Sequence, residues 1–316
     1  MSDQQRTKFR SSQDWNNFIS SGQQFTGTDL KALRDACYKE IEGIRKKPLL
    51  IYATKFIETD IPNTPNSIDL ADVEGFTDLA NSIDSGDSVD ILLHSPGGRP
   101  DATERIVNIL RNRFKKIDFL IPHSAYSAAT MLALSGDSII LHPSATLGPI
   151  DPQLNGTPAR SIKRGFDKVK DIIKNEGPES LPAYIPLIEK YTLDLLELCE
   201  DSEKLSKELV TDWLQQYMFK GETNDKLTEI VDYFSDYDSH LLHSRPLLLS
   251  KIQHFGMPIE HAEGDLKDLL WEAYILLNGF FNGTPFVKLY ENSSNLSWGK
   301  QMQVSIVGQQ SPAGHK

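Results

Sequence analysis

Cysteine is nearly absent from this 316-residue chain, which holds only Cys37 and Cys199. Two thiols cannot build a disulfide framework, and Cys37 lies in a charged, helix-like context. The expectation is a reducing, cytoplasmic compartment. Long apolar runs are missing too. No stretch of about 18 apolar residues exists, which excludes a transmembrane segment of helical type. The opening MSDQQRTKFRSSQDWNNF lacks the apolar region of a signal peptide. Positive charge is in deficit: 33 Lys and Arg stand against 44 Asp and Glu, a formal charge of −11. No nucleic-acid partner is expected, because such partners are met by a basic face.

The remaining composition is that of a globular protein, and its organisation changes along the chain. Residues 1–27 are polar and Gln/Ser-rich and read as a loosely ordered arm. Residues 28–46 space apolar side chains three and four apart behind Thr28, as a helix does. LLIYATKF (49–56) is strand-like, and IPNTPNS (61–67) is a loop. From residue 88 strands and helices alternate: VDILLH (89–94), then ATERIVNILRNRFK (102–115), IDFLIP (117–122), SAATMLALS (127–135) and DSIILH (137–142). Such alternation predicts parallel strands with right-handed crossovers, and chemistry at the carboxyl ends of those strands. A catalytic core over 28–180, a helical region over 181–291 and a flexible tail over 292–316 are expected.

Two motifs fall at strand ends. HSPGG (94–98) places two glycines after a buried strand, where backbone can turn sharply and approach a ligand. Free N–H groups there can donate to a developing oxyanion. IPHSAYSAAT (121–130) follows the next strand, and Ser127 opens the helix after it. A hydroxyl at a helix start lies near free amides, with the N–H of Ala128 as a second oxyanion donor. Each motif alone has an ordinary structural explanation, a turn and an N-cap. Together they are separated by one crossover helix and one strand, a topology that puts both loops at one sheet edge.

This pairing resembles the Clp-protease/crotonase superfamily. More narrowly, DILLHSPGG…ATERIV…FLIPHSAYSAATMLALSGDSIILHPSATLGPIDPQ, with the later HLLHSRP (240–246), is similar to the serine dehydrogenase proteinase family, related to signal peptide peptidase A. The resemblance implies an α/β fold, a Clp-protease/crotonase-like ββα superhelix with a helical C-terminal extension. It also implies an intracellular serine peptidase-like hydrolase, a peptide or protein substrate and a homo-oligomer. Ser127 matches the nucleophile, Gly98 the glycine oxyanion donor, and Ala128 the residue completing the hole. The family's name refers to serine degradation, a pyridoxal phosphate chemistry. No lysine here lies in a Schiff-base motif with a Gly-rich phosphate loop, so no cofactor is expected. A coenzyme A thioester enzyme of crotonase type and a non-catalytic assembly protein of the same fold are the alternatives.

The proton acceptor is less determined. Clp proteases use a Ser-His-Asp triad and signal peptide peptidases a Ser-Lys dyad, yet LGPIDP (147–152) contains no histidine. His123 and His142 precede or trail Ser127 awkwardly. PARSIKRGFDKVKDIIK (158–174) supplies Lys163, Lys168, Lys170 and Lys174 where the dyad peptidases take their lysine. Lys168, beside Val169 at the edge of the apolar face, is the expected base, and Lys163 is the next choice. Asp151 is read as orienting a base or capping its Pro-rich turn. His240, His243 and Arg245 lack further ligands at zinc spacing and read as structural or interfacial, with no metal expected. Trp271, Tyr274, Phe280 and Phe281 read as core or interface.

Overall fold

The computed structural model describes residues 6–22, 25–56, 64–154, 156–192 and 194–302. Two capped helices open the chain, α1 (Ser12–Ile19) and α2 (Gly27–Arg45). In each, a hydroxyl at the N-cap (Ser11, Thr26) accepts from the third amide, and Asp14 or Asp29 returns the bond. Next come β1 (Leu49–Thr54), α3 (Asp72–Asn81), β2 (Ser88–His94), α4 (Pro100–Arg113) and β3 (Lys116–Ile121). The two-residue β4 (Ser124–Ala125), α5 (Ala128–Leu134) and β5 (Ser138–Leu141) complete the alternating block.

The second half starts with three two-residue strands, β6 (Thr146–Leu147), β7 (Gln153–Leu154) and β8 (Thr157–Pro158). It continues through α6 (Ala159–Glu176), a 3₁₀ turn at Pro178–Ala183, α7 (Ile185–Ile188), α8 (Asp194–Gln216) and α9 (Asn224–Ser235). Then follow α10 (Tyr237–His240), α11 (Leu249–His254), β9 (Ile259–His261), α12 (Gly264–Gly283), β10 (Phe286–Asn292) and β11 (Ser297–Gln301).

Seven strands form one sheet in the order β11-β10-β1-β2-β3-β5-β9. The five from β1 to β9 are parallel, while β10 and β11 add an antiparallel edge. Strands covered on both faces read as continuous apolar runs, and alternation along them feeds two cores. Leu50, Tyr52, Ile91, Leu93 and Phe119 face the core under α3, α4, α5, α8 and α9. Leu49, Ile51, Leu92 and Leu120 face the core under α2 and α12. The fold is thus the α/β Clp-protease-like architecture expected, with α5 and the serine motif in the first core.

Three boundaries differ from the sequence reading. The N-terminal arm is not loose over its described part. Phe9 and Trp15 are buried against α12, and a Cβ on Gly279 would lie 2.2 Å from the Trp15 ring. Polar composition concealed two aromatic anchors. Residue 180 does not end the core, because β9 and β10 from the supposed helical region join the central sheet. The tail contributes β11, whereas residues 303–316 lie outside the described residues. Lone edge pairing by a Ser/Gly/Lys/Gln strand leaves little apolar signal to read.

A buried ion pair ties this added edge to the site. Lys288 of β10 donates to Asp72 Oδ1 and Oδ2 at 2.9 and 2.8 Å and to Ser67 O at 2.7 Å. Tyr290 also donates to Asp72. Lys288 and Asp72 are both buried, and removing one partner from such a pair costs about 3–5 kcal/mol. The pair pins the chain on either side of Ile68, which bridges the glycine turn.

Candidate functional site

The carboxyl ends of β2 and β3 extend into a short second layer. Ser95 N–H donates to Ser124 O and Tyr126 N–H to Ser95 O, both at 3.1 Å, so the two strand exits run side by side. On the far side of β4 lies β6, whose Leu147 bridges Leu247 in antiparallel sense. Ile68 closes the other flank: its N–H donates to Gly97 O at 2.7 Å, and Arg99 N–H donates to Ile68 O at 2.9 Å.

These contacts force glycine at both turn positions. Gly97 has φ +94°, and a Cβ there would meet Tyr126 O at 2.3 Å, Ser127 Cβ at 2.7 Å and Ala128 N at 2.8 Å. At Gly98 a Cβ would lie 2.1 Å from Ile68 O. The glycine turn and the serine motif are therefore in direct contact. Among the described residues, neither the Gly98 nor the Ala128 amide donates to a backbone carbonyl.

Ser127 sits at the mouth of α5 with φ 51° and ψ −124°, an unusual pose for a residue with a Cβ. Its N–H is anchored to Pro149 O at 3.2 Å. Its hydroxyl makes no capping bond, so the ordinary N-cap role is not the one it plays. The neighbouring hydroxyls are committed elsewhere. Thr130 Oγ1 donates to Ala125 O at 2.8 Å, and Ser124 Oγ pairs with His123 Nδ1 at 2.7 Å. Ser127 is half-buried, whereas Ser124 and Thr130 are buried.

The candidate bases are scattered. Lys168 is exposed on α6 beside an apolar cleft of about 340 Å³ lined by Phe166, Tyr184, Leu187 and Tyr191. Neither Ser127 nor either glycine lines that cleft. Lys163 donates to Glu203 at 3.0 Å. Burial pulls its pKa down, but that bond and the nearby carboxylates raise it above the usual lysine value, opposite to what a base requires. His123 stacks on Tyr274 at 4.3 Å, and His142 stacks on Trp271 at 5.1 Å, both against α12. Burial lowers the pKa of each. His94, at the end of β2, is buried and held down to about 3 by desolvation and by His123.

One contact lay outside the reach of sequence spacing. Asp151 has a side chain 3% exposed, and its Oδ1 accepts a hydrogen bond from His243 Nδ1 at 2.9 Å. Sequence inspection marked both residues but could not pair them, since 91 intervening positions carry no periodic signal. His240 is separate: its Nε2 donates to Tyr233 O. Among the described residues no cluster of His, Cys, Asp and Glu suits a metal ion. No helix among them is long and apolar enough to cross a membrane.

Sheet order, glycine turn and serine pose define a Clp-type hydrolase architecture. Residues 66–275 match the family of ClpP-like SDH-type serine proteinases, and the chain belongs to that family. The resemblance read from the motifs is thereby borne out. Two curated relatives come from Methanocaldococcus jannaschii. The uncharacterized protein MJ1495 is 28% identical over 171 residues, 54% of this chain and 51% of that protein. The uncharacterized protein MJ0137 is 39% identical over 88 residues, 26% of this chain and 31% of that protein. The chain thus matches about half of one relative's length and about a third of the other's. Among solved structures, a ClpP1 variant from Listeria monocytogenes aligns at 12% identity and TM-score 0.37, covering 64% of this chain and 90% of that one. A variant of the 1510-N membrane-bound stomatin-specific protease, in complex with a substrate peptide, aligns at 19% and 0.37, covering 65% and 75%.

Proposed function

We propose that the protein is a serine peptidase that cleaves peptide bonds through an acyl-enzyme on Ser127. The observation that carries this reading is the contact of Gly97 with Ser127 and Ala128. It sets a strained, uncapped serine against the amides of Gly98 and Ala128, neither of which donates to a backbone carbonyl among the described residues. Ser127 Oγ attacks the carbonyl carbon, and the two N–H groups receive the oxyanion, each worth about 2.7–4 kcal/mol in comparable sites. Water then releases the acyl group. A crotonase-type thioester enzyme would use the same amides without a nucleophile, and nothing in that chemistry calls for a strained, uncommitted serine. The lysine dyad has less support. Lys163 is neutralised by carboxylates, and Lys168 is exposed beside a cleft that excludes Ser127. A fluorophosphonate probe is expected to add one adduct, mapped by peptide mass spectrometry to Ser127. An adduct on another residue, or none, rejects the reading.

We also read the protein as a homo-oligomer acting in the cytoplasm on peptide or protein substrates. Support comes from apolar side chains left exposed on α7 to α8, where Leu187 is 57% and Leu198 51% exposed. Sedimentation velocity should show a mass above 35.5 kDa, and a monomer across micromolar concentrations would refute assembly.

A further inference from the structure

The Asp151 carboxylate is buried at a cost that its surroundings do not offset. Oδ1 accepts from His243, but Oδ2 is buried and has no hydrogen-bond partner among the described residues. An unsatisfied buried acceptor is unfavourable, more so on a charged group, so a carboxylate here calls for a function.

Its position supplies one. Leu247 N–H donates to Leu147 O at 2.9 Å in an antiparallel bridge. From that bridge one chain runs forward through Pro149 to Asp151, and the other runs back through Arg245 to His243. The Asp151–His243 hydrogen bond ties the same two segments together a second time. Between these two ties, Pro149 O holds the Ser127 amide. One five-residue segment, 147–151, therefore anchors both the serine backbone and the carboxylate that binds the imidazole.

The hydrogen bond also sets the ring's chemistry. A carboxylate accepts, so in the neutral ring Nδ1 is the donor and Nε2 carries the lone pair. Nε2 has no hydrogen bond among the described residues, and the His243 side chain is 20% exposed. The other histidines near the site show no such carboxylate partner: His94 is sealed, His123 Nδ1 pairs with the Ser124 hydroxyl, His142 Nδ1 accepts from the Ser144 amide, and His240 is bound to Tyr233 through its own Nε2.

We propose that His243 is the general base of the site and that Asp151 is its positioning residue, in the chain order Ser127, Asp151, His243. The proposal rests on Ser127 as nucleophile and replaces the lysine expected from the sequence. As Ser127 Oγ bonds to the carbonyl carbon, its proton passes to His243 Nε2 and the C=O π pair moves to oxygen. Collapse re-forms C=O and breaks C–N, and the departing amine takes the proton from Nε2. Water then bonds to the acyl carbon, giving a proton to Nε2. The second collapse breaks the bond to Ser127 Oγ, which recovers that proton.

The test measures the rate of fluorophosphonate labelling at Ser127 in the full chain and its variants. His243→Ala should slow labelling about 10³-fold, within the range for loss of a general base, and added imidazole should restore part of the rate. His243→Gln keeps a donor for Asp151 without a basic nitrogen and should be as slow, with an unchanged melting temperature. Asp151→Asn should slow labelling, and Asp151→Glu, which keeps a carboxylate for Nδ1, should recover part of the rate. Lys168→Ala should stay within about threefold, since an exposed lysine's charge is well screened. Wild-type labelling by both His243 variants overturns the proposal. So does a collapse in Lys168→Ala that imidazole cannot rescue in the His243 variants. If Ser127→Ala labels as fast as wild type, the nucleophile assignment itself has failed, a separate outcome.

Discussion

Ser127→Gly is expected to abolish labelling and peptide hydrolysis while making the protein melt at a higher temperature. The two effects have one cause. Ser127 is held at φ 51° and ψ −124°, outside the regions that side chains favour, and its hydroxyl does not repay this with a capping bond. Strain of this kind costs about 1–3 kcal/mol. Glycine removes the strain, though its unfolded chain recovers about 0.5–1 kcal/mol more entropy. The net gain is about 1 kcal/mol, worth roughly 2 °C in a chain of this size. Activity should fall by about 10⁴-fold or more, as loss of a nucleophile does in serine hydrolases. Calorimetry and labelling on one preparation test both halves. Retained labelling would move the nucleophile elsewhere. Lost labelling with a lower melting temperature would make the pose a stabilising feature rather than a functional strain.

The second large effect is expected at Gly97. An alanine there adopts φ +94° at a cost of about 1–2 kcal/mol, and its Cβ overlaps the backbone of Tyr126 and Ala128 and the Cβ of Ser127. Backbone cannot step aside as a flexible side chain can, so the serine and the Ala128 amide must move. Gly97→Ala should cost about 3 kcal/mol or more of stability, by strain plus overpacking. Activity should fall at least about 10²-fold, the loss seen when an oxyanion donor is displaced. Gly86→Ala is the control: its φ is +91°, yet nothing lies within 4 Å of the added Cβ. It should show the strain alone, with normal turnover. Equal activity in the two variants, measured by ester hydrolysis and urea unfolding, would separate the glycine turn from catalysis.

Much of this site was legible along the chain because its parts are local. β2 and β3 carry near-continuous buried runs, since both faces are covered, and the glycine turn and the serine motif follow them. The alternation then implies that SPGG and SAYS share a sheet edge. Even the choice of Ser127 over Ser124 and Thr130 follows from which residue begins the helix. Local reasoning failed where composition disguised packing. Phe9 and Trp15 lie in a polar stretch, and β11 has too few apolar residues to announce itself.

On α6 the same reasoning reached the helix but not the surroundings of its lysines. Amphipathic spacing correctly made 159–176 a helix, but it cannot say what a lysine at the edge of its apolar stripe will face. Glu203, forty residues on, accepts a hydrogen bond from Lys163, and Lys168 borders an open cleft.

By itself, then, the chain determined the alternating elements from β2 to β5, their parallel order, and that the glycine turn and the serine motif share one sheet edge. Each of these depends on residues joined by one short crossover. Only the tertiary structure decided that Asp151 meets His243 and that Ile68 braces the glycine turn. It also decided that β10 brings Lys288 to Asp72. Those contacts join segments that are distant in sequence, and they are selected by antiparallel pairing and by the burial of charge, neither of which leaves a periodic trace in the residues involved.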